Sequence, residues 1–335
     1  MYGSPEARAL HDQHPAIDFH ADSLMWSRWV GYDLHARHDP PLPLAAIGGH
    51  VDIPRMHEGG VGAQFFGLVS LPVGQRSGLA RVIDEQIDAL ESAIAYAPER
   101  IAKVRTADEI ESARLAGKIG ALLGIEGGHA LEGSLANLEH FARRGVRYLG
   151  LCHFSRNDLS YPAYGQGRGD TAGLTSFGRD VVKKCEELGV IVDLAHINRK
   201  GFLEVCAMAK RPPIVSHTGV IGAFKHWRNI DDDQLRAVAD KGGLVGVIFC
   251  PKFLGGDGLD PVVRHLRHII DVCGEDAPAL GSDWDGFIVP TRDLCDVAHL
   301  PLLTDALLAA KVPIGTITKI LRGNAMRVLN EVPCS

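Results

Sequence analysis

Short apolar runs of β type alternate along the chain with longer stretches patterned at helical spacing. The runs cover residues 15–22, 61–69, 119–126, 146–153, 190–196, 213–217, 244–249 and 279–284. Each is bounded by glycine, proline or polar residues and reads as a buried parallel strand. Between them, Leu79, Val82, Ile83, Ile87, Leu90 and Ile94 hold one face of a helix. Phe177, Val181, Val182, Cys185 and Leu188 hold another before Gly189. Asp231, Asp232 and Asp233 open a third, where carboxylates suit the free N–H groups, and Lys241-Gly242-Gly243 closes it. Eight strands interleaved with helices predict an α/β fold, a single-domain (β/α)₈ TIM-like barrel over residues 1–335. Two connections, 23–60 and 155–173, are long and rich in Gly, Pro and aromatics, and are expected over the mouth of the barrel.

The run ends carry the chemistry. They read His20-Ala21-Asp22, Gly124-Ile125-Glu126, Cys152-His153, Asp193-Leu194-Ala195-His196, Ser216-His217 and Ser282-Asp283-Trp284-Asp285. Barrel closure would gather these six ends round one mouth. Any one of them has a bland reading. His-x-Asp is common, and His50-Val51-Asp52 before Ile53-Pro54 is read as structural. His153, His196 or His217 taken singly reads as a core histidine. Asp193 reads as orienting a neighbour. His35, His38, His57, His226, His265, His268 and His299 fall in loops or helices and are read as solvated. Six coincidences at equivalent strand ends are another matter, because clustered ionisable groups are costly to bury unless a cation compensates them. His20, Asp22, Glu126, His196 and His217 offer three imidazoles and two carboxylates, which suit zinc above manganese or iron. Five ligands exceed one tetrahedral ion and point to two metals sharing a carboxylate. No nucleophile elbow, phosphate loop or dinucleotide fingerprint competes.

Composition narrows the class further. The 335 residues are 46% hydrophobic and 23% charged, with a net charge of −6, an ordinary globular balance. A mildly acidic chain has no electrostatic reason to bind nucleic acid or an anionic membrane. Residues 1–15 are polar, with no apolar signal-peptide run, and no stretch is long and apolar enough for a membrane span. Seven widely spaced cysteines fit reduced thiols, so a cytoplasmic location is expected.

The motifs together resemble the membrane (renal) dipeptidase family of the amidohydrolase superfamily. The resemblance runs through Asp18-Phe19-His20-Ala21-Asp22, Gly59-Gly60-Val61-Gly62-Ala63-Gln64-Phe65, Gly124-Ile125-Glu126-Gly127-Gly128-His129 and Val192-Asp193-Leu194-Ala195-His196. It continues in Val215-Ser216-His217, Arg228-Asn229-Ile230, Gly281-Ser282-Asp283-Trp284-Asp285-Gly286 and Gly323-Asn324-Ala325-Met326-Arg327-Val328. It implies two zinc ions per chain, one held by His20 and Asp22, the other by His196 and His217, with Glu126 bridging. It implies that a metal-bridging hydroxide cleaves dipeptides, with tolerance for a D-residue at the second position. His153 would stabilise the oxyanion, Asp283 would carry the proton with Asp285 as the weaker candidate, and Arg228 would grip the substrate carboxylate. Phe253 stands where relatives carry a tyrosine near that carboxylate, which removes a hydrogen bond. The expected partners are a small dipeptide substrate and, as a homodimer, a second copy of the chain. Two rival readings stay open: lactone, N-acyl amino acid or phosphoester hydrolysis on the same metals, and a non-catalytic metal-binding scaffold.

Overall fold

Nine parallel strands form one continuous sheet in the computed structural model, which describes residues 2–38, 48–72 and 77–334. They are β1 (Ala16–Ala21), β2 (Val61–Val69), β3 (Ile101–Lys103), β4 (Ile119–Glu126), β5 (Val146–Gly150), β6 (Ile191–Asp193), β7 (Ile214–Thr218), β8 (Leu244–Val247) and β9 (Pro278–Leu280). The order runs β2-β1-β9-β8-β7-β6-β5-β4, and β2 pairs with β4 from Ala63↔Gly120 to Val69↔Glu126, closing an eight-stranded barrel. The short β3 is an addition. It pairs with residues 119–121 of β4, before β5 takes up the same edge at Leu123.

Helices wrap the sheet where the apolar spacing puts them. Helix Leu79–Tyr96 buries Leu79, Val82, Ile83, Ile87 and Leu90. Gln86 is buried on that face too, its amide bonding both N and O of Val69 at the end of β2. Helix Ser176–Leu188 ends at Gly189, whose φ of 66° is the left-handed cap that glycine tolerates. Helix Asp232–Ala239 starts from Asp231, whose side chain accepts from Gln234 N in a capping box. Segment 23–60 is not loop throughout. It holds helices Ser23–Val30 and Ile53–Glu58, the second capped by Asp52 with Pro54 in its first turn, while residues 39–47 lie outside the described residues.

Several strands are shorter than their apolar runs, so some motif residues lie just beyond them. β5 stops at Gly150 and β6 at Asp193, leaving His153 and His196 on the following segments. Glycine also opens room inside. A Cβ on Gly67 would sit 2.2 Å from Asp22 Oδ1, and one on Gly124 would sit within the Tyr148 ring, 2.0 Å from its Cζ. Beneath the site, Phe19 and Phe65 stack at 4.9 Å and Phe65 meets Tyr148 at 5.3 Å, an aromatic floor to the barrel.

At the opposite end, Arg147 of β5 is buried and binds carbonyls only: Arg105 at 2.6 Å, Val332 at 2.7 Å, and Gly189. It ties the β3 exit, a helix end and the C-terminal segment together. Arg147→Met should leave three acceptors unpaired and lower unfolding stability by about 3 kcal/mol, read by urea denaturation. An unchanged midpoint would show that the three segments hold without it.

Candidate metal centre and active site

Two irregularities of strand register fall at candidate ligands. The β1–β2 register shifts between Asp18 and Ala21, around His20, and the β7–β8 register shifts between Val215 and Thr218, around His217. Such irregularities re-aim side chains beside active sites. His196 and Asp283 sit at φ 67° and 62°, a strained conformation for non-glycine residues and one common at functional sites.

These devices bring all five predicted ligands together, with His153 and Asp283. Glu126 stands at the centre. Its Oε1 faces His196 Nε2 at 2.9 Å, His217 Nε2 at 3.3 Å and His153 Nε2 at 3.7 Å. Its Oε2 faces His20 Nε2 at 3.7 Å. His20 Nε2 also lies 3.3 Å from Asp22 Oδ1 and 3.8 Å from Asp283 Oδ1. Asp22 occupies the N-cap position of helix Ser23–Val30, yet its carboxylate makes no cap bond.

A cation fits this arrangement. His20 Nε2 and Asp22 Oδ1 are buried without hydrogen-bond partners, and His196 Nε2 and His217 Nε2 face each other at 2.9 Å. Buried polar atoms are seldom left so, and two imidazole nitrogens that close need a proton or a cation between them. The outer ring nitrogens are tied down. Tyr148 Oη lies 2.7 Å from His20 Nδ1 and 3.2 Å from Phe19 O. Its proton goes to the carbonyl and it accepts from Nδ1–H, leaving the Nε2 lone pair inward. Ser216 Oγ does the same for His217, 2.9 Å from Nδ1 while donating to Asp193 Oδ2 at 2.7 Å. Asp193 therefore orients a neighbour, as its sequence position suggests.

The field agrees with the geometry. Burial alone would raise Glu126, but His153, His20 and the hydrogen bond from His196 hold its carboxyl well below the usual range. Burial, then the nearby Arg228 for His196 and His20 for His217, keeps those two imidazoles well below theirs. His20 goes the other way: Tyr148, Asp22 and Glu126 outweigh burial and draw positive charge to the centre. Asp283 is pushed well above the carboxylate range by burial, with Asp22 and Glu126 adding repulsion against the pull of His20.

Arg228 is buried beside this group. Its Nη2 donates to His217 O at 2.7 Å and lies 3.3 Å from His196 Nε2; its Nη1 is 3.5 Å from Thr218 Oγ1. It makes no pair with Asp231 or Asp232. Arg199 binds Asp231 and Asp233, and His268 binds Asp232. A cavity of about 300 Å³ joins Asp22, Glu126, His153, His196, Arg228, Phe253 and Asp283. Met25 from segment 23–60 lines it too, and so does Phe154, next to segment 155–173.

Other residues resolve differently from the sequence expectation or were not singled out by it. Asp285 is wholly buried, its carboxylate taking Ser23 Oγ at 2.5 Å and His50 N at 2.7 Å, and it does not line the cavity. His50 returns the contact by accepting from Asp285 N, and Asp52 caps its helix, so that motif is structural. His265 is not solvated. It is buried, accepts from Val220 N at 2.9 Å, and burial lowers it to about 4. Its place among Val262, Leu266 and Ile269 at helical spacing is the signal that could have found it. Tyr148 and Ser216 were not anticipated as orienters. A separate cluster, Cys295, Asp296 and His299, lies elsewhere, with both Asp296 oxygens already engaged by Ala298 N, His299 and Arg55.

A closed barrel with carboxylates and imidazoles converging at its mouth defines a metal-dependent hydrolase. The chain belongs to the membrane dipeptidase family, peptidase family M19, whose match covers residues 4–334. It is a metallopeptidase of that family and cleaves peptide bonds. A dipeptidase of Claviceps purpurea (strain 20.1), tcpJ, is 31% identical over 328 residues, 94% of this chain and 76% of that protein. A metallopeptidase from Rhodobacter sphaeroides, solved with a phosphinate mimic of the dipeptide L-Ala-D-Ala, is 28% identical. It superposes at a TM-score of 0.87 over 95% of this chain and 99% of its own. The dipeptidase AC, a metallopeptidase of the same family, is 29% identical with a TM-score of 0.86 over 95% and 98%. No helix among the described residues is long and apolar enough to cross a membrane.

Proposed function

We propose that the chain is a two-zinc dipeptidase acting on free dipeptides, with a D-residue accepted at the second position. His20 and Asp22 hold one ion, His196 and His217 the other, and Glu126 is shared. The observation that carries this reading is the division of Glu126, one oxygen toward His20 and the other toward His196 and His217. When bound, such a pair supplies a water of lowered pKa and a polarised scissile carbonyl. His153 donates a hydrogen bond to the carbonyl oxygen as that oxygen gains charge. Asp283, whose Oδ1 lies 3.8 Å from His20 Nε2, takes a proton from the attacking water and returns it to the leaving amine. Met25, from the described part of segment 23–60, and Phe154, just before segment 155–173, support a cover over the mouth. Seven free cysteines fit a reducing cytoplasm. The ligand of the Rhodobacter neighbour, a mimic of L-Ala-D-Ala, supports the substrate class and the tolerance for a D-residue.

Arg228 makes the enzyme exo-acting. It is a buried cation whose direct partners are all neutral, so a substrate carboxylate would complete it. Phe253 offers no hydrogen bond at that end, so the discrimination rests on the arginine. Amidating a dipeptide's C-terminus should lower wild-type kcat/KM by about 2–3 kcal/mol, roughly 10²-fold, and Arg228→Met should lose most of that preference. Equal cleavage of free and amidated dipeptides overturns the exo reading. Faster turnover of lactones or phosphoesters than of any dipeptide overturns the substrate class.

A further inference from the structure

We infer that the cavity selects dipeptides whose N-terminal residue carries a bulky apolar side chain. This rests on the dipeptidase reading, because Arg228 fixes which way round the dipeptide lies. Six lining residues are ionisable: Asp22, Glu126, His153, His196, Arg228 and Asp283. Every other lining residue is apolar.

Chain neighbourhood sorts the lining into two ends. At the Arg228 end, the Phe154 ring lies 4.8 Å from His196, and Asn229, next to Arg228, holds Phe253 O at 2.8 Å. At the other end, the backbone of Gly286 passes so close to the carboxylates that a Cβ would lie 2.3 Å from Asp283 Oδ1 and 2.9 Å from Asp22 Oδ2. Phe287 and Ile288 follow directly, and Met25 comes three residues after Asp22. A dipeptide with its carboxylate on Arg228 therefore brings its amine to Asp22 and Asp283, and its first side chain to Met25, Phe287 and Ile288. Val69 and Leu71 line the same cavity.

The charged lining residues at that end are Asp22 and Asp283, and in this pose the substrate's own amine takes them. A further charged group on the first side chain would shed its hydration with no partner of its own, while an apolar one gains by burial. Phe287 is aimed at some cost. Asp283, Asp285 and Phe287 all have φ between 57° and 69°, three non-glycine residues in the left-handed region within five positions. This sets the Phe287 ring 5.2 Å from Trp26 and 5.8 Å from Trp29, yet leaves Phe287 47% exposed. A substrate side chain would cover that remaining face.

The test uses the metal-loaded enzyme with Leu-Ala, Phe-Ala, Gly-Ala, Asp-Ala and Lys-Ala, measuring kcat/KM and calorimetric binding on the same series. Leu and Phe should exceed Gly by about 10- to 100-fold, with Asp and Lys lowest. Phe287→Ala should compress the range to within a few-fold. Phe287→Arg, at a half-exposed position, should move Asp-Ala ahead of Lys-Ala, a gain that misfolding cannot imitate. Gly-, Asp- or Lys-Ala matching Leu-Ala in both turnover and binding overturns the inference. Selective binding of Leu-Ala without its hydrolysis upholds the preference and overturns the dipeptidase reading instead.

Discussion

Glu126→Ala should strip the protein of its metal and its activity together. The carboxylate stands between His20 on one side and His196 and His217 on the other. Without it, His20 and Asp22 form a two-ligand site, and His196 and His217 form another. Neither reaches the three protein ligands that a catalytic zinc ordinarily keeps. Loss of a mere supporting hydrogen bond costs a metal site about 10- to 100-fold in affinity or activity, and loss of a shared ligand should exceed that. Elemental analysis should give close to two divalent ions per wild-type chain and well under one in the variant, with circular dichroism unchanged. A variant that keeps both ions would refute the shared carboxylate. A wild type holding a single ion under metal-replete conditions would refute the pair.

Some parts of the fold and of the candidate site were legible in the sequence and others were not, for physical reasons. Runs 61–69 and 119–126 match β2 and β4 end to end, because strands buried on both faces read as unbroken apolar stretches. The strand β3 left no such trace. Its three residues, Ile-Ala-Lys, are too few to show a period, and its single buried residue is Ile101. The helices of segment 23–60 were hidden by a high content of Gly and Pro, although Gly31 is a left-handed cap at φ 69° and Asp52 is an N-cap. His20, Asp22, Glu126, His196 and His217 were legible because each ends an apolar run, where an ionisable side chain needs a reason. Tyr148 and Ser216 carried no such mark. A tyrosine inside a strand looks like core, and it becomes an orienter only because it stands beside Gly124 in the β4–β5 register and reaches across to His20. Arg228 was ambiguous from spacing alone. The structure removes its surface reading by giving Asp231 and Asp233 to Arg199.

Asp283→Asn separates proton transfer from metal binding. Asparagine keeps the shape of the side chain beside His20, whose Nε2 lies 3.8 Å from Asp283 Oδ1, but it cannot take up and release a proton. Metal content should therefore stay close to wild type while kcat falls by about 10²-fold or more. Asp285 is the natural control, a second buried carboxyl side chain two residues on. Its carboxylate holds Ser23 Oγ and His50 N, fastening segment 23–60 to the segment that follows β9. Asp285→Asn should thus lower unfolding stability, because an amide nitrogen replaces one of two buried acceptors. Its kcat should fall far less than that of Asp283→Asn. A kcat for Asp283→Asn within about threefold of wild type would exclude Asp283 as the proton carrier. The role would then pass to His153, which lines the same cavity 3.7 Å from Glu126.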